Sequence, residues 1–279
     1  MKKRKRITAS DFSGFYSKLK EVSIHTAGLS FFYRGESCYD WDLIPSVYRK
    51  NNGCGGVEIE EKLYKEAIRN CPNEFPETLT AFEKLVKMQH YGLHTRLLDI
   101  TSNPLVALFF TCNDHEDSDG KVSVISVPNS EMKYYNSDEC VCLGELATFP
   151  YNSSAVEISD WLKYASCQNE CNSFPDYCVI GEGEVSLDYS CLNKVCCVLP
   201  KMDNARIIRQ SGAFLLFGIK NSKKELADMT FRTQEIIIPA SAKESILKEL
   251  SSMGIDEMTL FPELENMLCA IRNKIARKK

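Results

Sequence analysis

The run from Gln89 to Pro104, Gln-His-Tyr-Gly-Leu-His-Thr-Arg-Leu-Leu-Asp-Ile-Thr-Ser-Asn-Pro, constrains this chain more than any other segment. It sets a cation, a carboxylate, imidazoles, hydroxyls and amides side by side, then passes directly into the apolar Leu-Val-Ala-Leu-Phe-Phe of 105–110. Polar groups this dense beside a hydrophobic segment are either hydrogen-bonded to one another or held for a ligand. A second run, Phe31-Phe-Tyr-Arg34-Gly35-Glu36, has the same character: an apolar strand that ends in charge.

Local signals around these runs alternate between helix and strand. Residues 10–22 read as a helix capped by Ser10, with Phe12, Phe15, Leu19 and Val22 on one face. Residues 57–70 repeat Ile59, Leu63, Ala67 and Ile68 at helical spacing. Thr78 or Thr80 caps a further helix that runs to His90 and stops at Gly92. Residues 97–101 are a short strand or extended turn; Asn103 and Pro104 then suit the N-cap and first position of a buried helix, 105–112. Strands are expected at 121–127 and 231–239, a β-turn-β unit at 206–218, and helices at 159–167, 242–253 and 263–278. Strands dispersed among helices predict an α+β fold, with a mixed small sheet or sheets surrounded by helices.

The length of 279 residues admits one domain spanning 1–279 with an insertion at 130–195, where periodicity is weakest. Net charge is −4, and the basic ends read as solvated tails, so nucleic acid is not indicated as a partner. No stretch approaches the roughly 20 apolar residues of a membrane span. The 13 cysteines, with no secretory signal, point to reduced thiols and a cytoplasmic protein. Those at 140–197 lack the paired spacing of a zinc site and read as buried, inert thiols, and no metal is expected. The acidic loop 113–120 lacks the ligand order of a calcium loop.

Tyr33-Arg34-Gly35 and the Gln89–Pro104 run together resemble the FRG domain, a bacterial family with a Phe/Tyr-Arg-Gly motif and a Gln-His-Tyr-Gly-x-x-Thr-Arg-Leu-Leu-Asp-x-Thr-x-Asn-Pro motif. His94 stands where the family often has Pro, and Thr259-Leu-Phe-Pro-Glu-Leu264 resembles the family's C-terminal end. The resemblance spans roughly residues 12–272.

A second resemblance concerns chemistry. The order of an Arg strand, a hydroxyl-bearing strand leading into a helix, and a Glu heading an apolar strand is similar to the Arg-Ser-Glu mono-ADP-ribosyltransferases. Their three strands converge on NAD. This implies an ADP-ribosyltransferase-like core and NAD as substrate. Arg34 would pair with its phosphate or ribose oxygens. Glu235 would hydrogen-bond the nicotinamide ribose and stabilise its developing positive charge, with Thr101 orienting Glu235. Tyr33, Gly35, Glu36, Gln89, His90, Thr95, Arg96, Asp99 and Gln210 would complete the cofactor-binding site. The family's Ser-Thr-Ser is here Asp99-Ile100-Thr101, and the first acid of its Glu-x-Glu is Thr233. That loss argues against arginine as acceptor and leaves NAD hydrolysis, or transfer to another macromolecule, in a phage-defence or toxin-like role.

Each residue also has a plainer reading. Arg34 and Asp99 suit a buried ion pair, Arg96 a partner for Glu36 or Glu235, and His90 a complement to its helix dipole. The same pocket, without chemistry, would serve a nucleotide- or anion-sensing module. A purely structural interaction protein is the third reading.

Overall fold

A computed structural model describes residues 7–23, 27–49, 57–148, 192–220, 225–263 and 268. Its strands are β1 (Ile7–Thr8), β2 (Leu29–Glu36), β3 (Leu97–Thr101), β4 (Gly120–Pro128), β5 (Met132–Tyr134), β6 (Val195–Leu199), β7 (Gly212–Phe217), β8 (Ile219–Lys220), β9 (Glu225–Leu226) and β10 (Arg232–Ile238). Its helices are α1 (Phe12–Val22), α2 (Val57–Asn70), α3 (Ala81–His90), α4 (Pro104–Cys112), α5 (Asp138–Glu145), α6 (Ala205–Arg209), α7 (Ala240–Ser252) and α8 (Glu257–Leu260).

The sheet is larger than expected: one of 8 strands dominates, in the order β1-β10-β4-β2-β3-β7-β6-β5. It is mixed, because β1–β10 and β5–β6 run parallel and the other pairs antiparallel. Strand side chains alternate between faces. On one face Tyr33, Val122, Val124, Ile236 and Ile238 pack with α1, α4 and α7. Further along that face, Leu97, Phe214, Leu216, Cys196 and Val198 pack with α3 and α5. The other face carries Phe32, Leu98, Ile100, Ile125, Leu215 and Phe217, closed by Ala227 and Phe231. Each fully buried Leu or Phe contributes about 1.5–3 kcal/mol. The α+β class therefore holds.

Most elements form where their local signals place them. Thr80 caps α3 in a reciprocal box with Glu83, and Gly92 follows with φ 85°. Asn103 accepts from the Leu105 N–H at 3.0 Å, and Pro104 opens α4. Two readings are corrected. Asp11, not Ser10, caps α1, accepting from Gly14 N at 2.6 Å. Residues 205–209 are a helix, not the first arm of a β-turn-β unit, because Asn204 Oδ1 accepts from Arg206 N at 2.8 Å and starts a helical turn. The expected helix at 159–167 lies outside the described residues, as does most of the one at 263–278.

Close packing fixes the Tyr-Arg-Gly strand. α4 is apolar all round and lies against β2 so tightly that a Cβ on Gly35 would stand 1.8 Å from the Ala107 oxygen. Glycine is required there by helix–strand approach.

Candidate functional site

β2 and β3 share a single register pair, Tyr33 with Thr101. Below that pair the strands part, and Arg34 crosses the gap: its Nη1 donates to the Asp99 main-chain oxygen at 2.7 Å. A cavity of about 280 Å³ opens at this parting. Tyr33, Arg34, Gly35, Gln89, His90, Asp99, Thr101 and Gln210, all expected from the sequence, line it. Val106, Phe110, Ile207 and Phe214 supply apolar wall, and Asn204 and Arg206 add polar groups that the sequence reading missed. In sequence these last two look like any cap and any surface cation.

Asp99 is the one exposed residue of β3, whose other positions are buried. Its Oδ2 accepts from Gln89 Nε2 at 2.7 Å and lies 4.0 Å from Arg34 Nη1. The Gln89 amide is itself fixed. Leu97 N donates to Thr95 Oγ1 at 3.2 Å, so the Thr95 hydroxyl is turned to donate to Gln89 Oε1, and Nε2 must face Asp99. Thr95 thus braces the site from behind and does not line it.

His90 is held at both nitrogens. Asn204 Oδ1 is committed to capping α6, so Nδ2 faces His90 Nδ1 at 3.2 Å and donates to it. His90 Nε2–H then donates to Glu263 Oε1 at 2.6 Å. The segment 259–263 closes this side: Gln210 Nε2 donates to the Leu260 oxygen at 3.1 Å, and Phe261 lies under Arg206 and edge-on to Phe110.

Of the other expected site residues, Glu36, Arg96 and Glu235 are not among those lining the cavity, and Thr101 lines it in a role other than the expected one. Arg96 is fully buried, donating from Nε to Glu60 Oε2 at 2.9 Å while its N–H reaches Glu60 Oε1 at 2.8 Å. The ion pair seen among the described residues is thus with Glu60 on α2, where the sequence suggested Glu36 or Glu235. Thr101 does not orient Glu235; its hydroxyl donates to the Gln210 oxygen at 2.6 Å and accepts from Asn103 N at 2.9 Å. It also lies on the helix-covered face, as its pairing with Tyr33 requires. Glu235 is on the opposite face, 3.4 Å from Lys121 Nζ, and is not among the cavity-lining residues.

The residue between Arg34 and Glu235 is Ser123 of β4, register partner of both. The three share one face, in a row spanning about 10 Å at the usual strand spacing. Beside this row Glu36 is buried. Arg34 Nε is 3.6 Å from its Oε1 and Lys121 Nζ 3.7 Å from its Oε2. Burial raises its carboxyl pKa against the opposing charges of Arg34, Lys121 and Arg49. Burial likewise raises the Tyr33 phenol.

Among the described residues no thiol lines the cavity. Cys112, Cys140, Cys142, Cys196 and Cys197 are buried, and burial pushes Cys112 and Cys197 up to about 12. Cys167, Cys171, Cys178 and Cys191 lie outside the described residues. Among the described residues no group of His, Cys, Asp and Glu is arranged to hold a metal ion, and no helix is long and apolar enough to cross a membrane.

Fold and site define an α+β protein whose cavity lies where two neighbouring strands of a mixed sheet part. Residues 29–120 match the family model of the FRG domain, a span that runs from β2 to the start of β4 and includes both motif runs. No curated protein and no solved structure matches the chain.

Proposed function

We propose that the cavity binds the nicotinamide–ribose part of NAD and that the protein cleaves its glycosidic bond, passing ADP-ribose to water or to a macromolecular acceptor. One observation carries this reading. Arg34 and Asp99 meet at the parting of β2 and β3, so a fixed cation and an accessible carboxylate share one apolar-walled cavity. Cleavage of an N-glycosidic bond develops positive charge on the ribose, and a preorganised carboxylate answers it. Among the described residues only Nη1 and Nε of Arg34 have polar neighbours, which leaves Nη2 for a phosphate or ribose oxygen. The cavity, about 280 Å³, falls just short of the usual ligand sites, which run from roughly 300 Å³ upward. It suits half of a dinucleotide, with the adenylate half extending outside. A phage-defence or toxin-like role follows if the cleavage depletes NAD or modifies a target.

A second reading, a nucleotide-sensing module without chemistry, is favoured by the ion pair of Glu235 with Lys121 outside the cavity lining. Incubation of the full chain with NAD, followed by quantification of free nicotinamide and by calorimetry, separates the two. Release supports cleavage, and binding without release supports sensing. Neither one removes NAD as the ligand.

A further inference from the structure

We infer that Asp99 is the carboxylate that acts on the substrate, in the place the sequence motif assigns to Glu235. This inference rests on the NAD reading above. Four features of the structure support it. Asp99 lines the cavity with its side chain 62% exposed, although it sits in the middle of a strand whose other residues are buried. The relay from Leu97 N through Thr95 and Gln89 fixes Oδ2, and no hydrogen bond to Oδ1 is found among the described residues. That leaves one oxygen positioned by the protein and one for the substrate. Arg34 Nη1, 4.0 Å from Oδ2, sets a fixed cation beside the carboxylate at the mouth of the cavity. Glu235, by contrast, has its charge answered by Lys121 at 3.4 Å and lies on the far face of the sheet.

The step balances without any further reactant except water. Asp99 accepts a proton from the water that bonds to C1′ of the nicotinamide ribose. The C1′–N bond breaks as that C–O bond forms, and its electron pair leaves with nicotinamide as a neutral amide. ADP-ribose and nicotinamide are released, and Asp99 returns the proton to solvent. Until the new bond is complete, the same carboxylate stabilises the cationic ribose.

The test compares nicotinamide release and NAD calorimetry for wild type, Asp99→Asn, Asp99→Glu and Glu235→Gln. The expected result is a fall in kcat of roughly 10²–10⁴-fold in Asp99→Asn. NAD binding should stay within a few-fold and the melting temperature should be unchanged. Asp99→Glu, which keeps the charge but displaces it, should retain part of the activity, and Glu235→Gln should release nicotinamide at close to the wild-type rate. Undiminished release by Asp99→Asn, or loss in Glu235→Gln with Asp99→Asn intact, overturns the assignment and leaves NAD cleavage standing. Wild type that binds NAD without releasing nicotinamide overturns the assignment in favour of sensing. Wild type that does neither overturns the assignment and the NAD reading together.

Discussion

Arg34 Nη1 donates to the main-chain oxygen of Asp99 at 2.7 Å, so a side chain makes the bond that a sheet ladder would otherwise supply. This is the structural consequence of a single register pair between β2 and β3. A fully zipped pair would satisfy that oxygen with backbone N–H and leave no opening. The parted strands need a long, flat, multidentate donor to hold the gap at fixed width, and arginine has that shape. The charge that shapes the cavity also faces into it.

Replacing Arg34 by Lys should therefore cost stability as well as ligand affinity. Lysine keeps the charge but not the fork, so the Asp99 oxygen and the buried Glu36 carboxylate are not both answered. A buried group left unsatisfied costs about 1–3 kcal/mol, which urea unfolding will resolve. A change under about 0.5 kcal/mol, ordinary for a surface substitution, would show that the gap is held by other contacts.

The Arg96–Glu60 pair should behave as structure alone. Arg96→Ala leaves Glu60 charged and buried, and breaking such a pair costs about 3–5 kcal/mol. Arg96→Met with Glu60→Met restores volume and removes both charges, yet should recover only part of the loss. Glu60 also accepts the Arg96 N–H at 2.8 Å, and methionine does not. Denaturation midpoints of single and double variants check this, and full recovery would mean that the backbone bond is dispensable.

What the sequence disclosed about these residues follows the reach of each interaction. Caps and helical stripes act within a few positions, so α2, α3 and α4 were readable from Ile59, Leu63, Thr80, Asn103 and Pro104 alone. The run Arg206-Ile-Ile-Arg209 was misread because its β-branched pair suggests strand, while the opposing signal was a single residue, Asn204. Long-range partners were not legible. Glu60 looks like any solvated glutamate of an amphipathic helix until β3 is laid beside it. Ser123 gained its place between Arg34 and Glu235 only from sheet register. The cavity residues of 89–101 were recognisable because dense polarity beside apolar chain is itself a local signal. Which of them face the cavity depends on the parting of β2 and β3, which no local pattern encodes.

Gly35→Ala tests the packing of α4 on β2. The new Cβ would meet the Ala107 oxygen at 1.8 Å and Thr111 N at 2.8 Å, both in or beside helix backbone, so the helix itself must shift. Overpacking of this kind costs about 1–3 kcal/mol, occasionally more. Thermal unfolding should drop accordingly, and NAD affinity should fall with it because Ala107 and Val106 line the cavity. An unchanged melting temperature would refute the close approach.

Glu36 should impose a pH dependence on stability. Its folded pKa is raised above the ordinary 4.5, with burial outweighing Arg34, Lys121 and Arg49. The native state therefore binds this proton more tightly than the unfolded chain does. Its contribution is full below 4.5 and is lost as pH rises through the raised folded value. Glu36→Gln, neutral throughout, should remove that part of the slope and gain relative stability toward neutral pH. Urea midpoints from mildly acidic to neutral pH make the comparison, and an identical slope in the variant would assign the dependence to another group.

The hydrogen bonds around His90 also fix its tautomer. Asn204 Oδ1 serves the α6 N-terminus, so its amide nitrogen faces Nδ1, and the neutral ring must carry its proton on Nε2, toward Glu263. Long-range proton–nitrogen correlation spectra of wild type should show the Nε2–H form. A wild-type ring protonated on Nδ1 would reverse the whole assignment, since Asn204 would have to turn its oxygen to His90 and abandon the α6 cap.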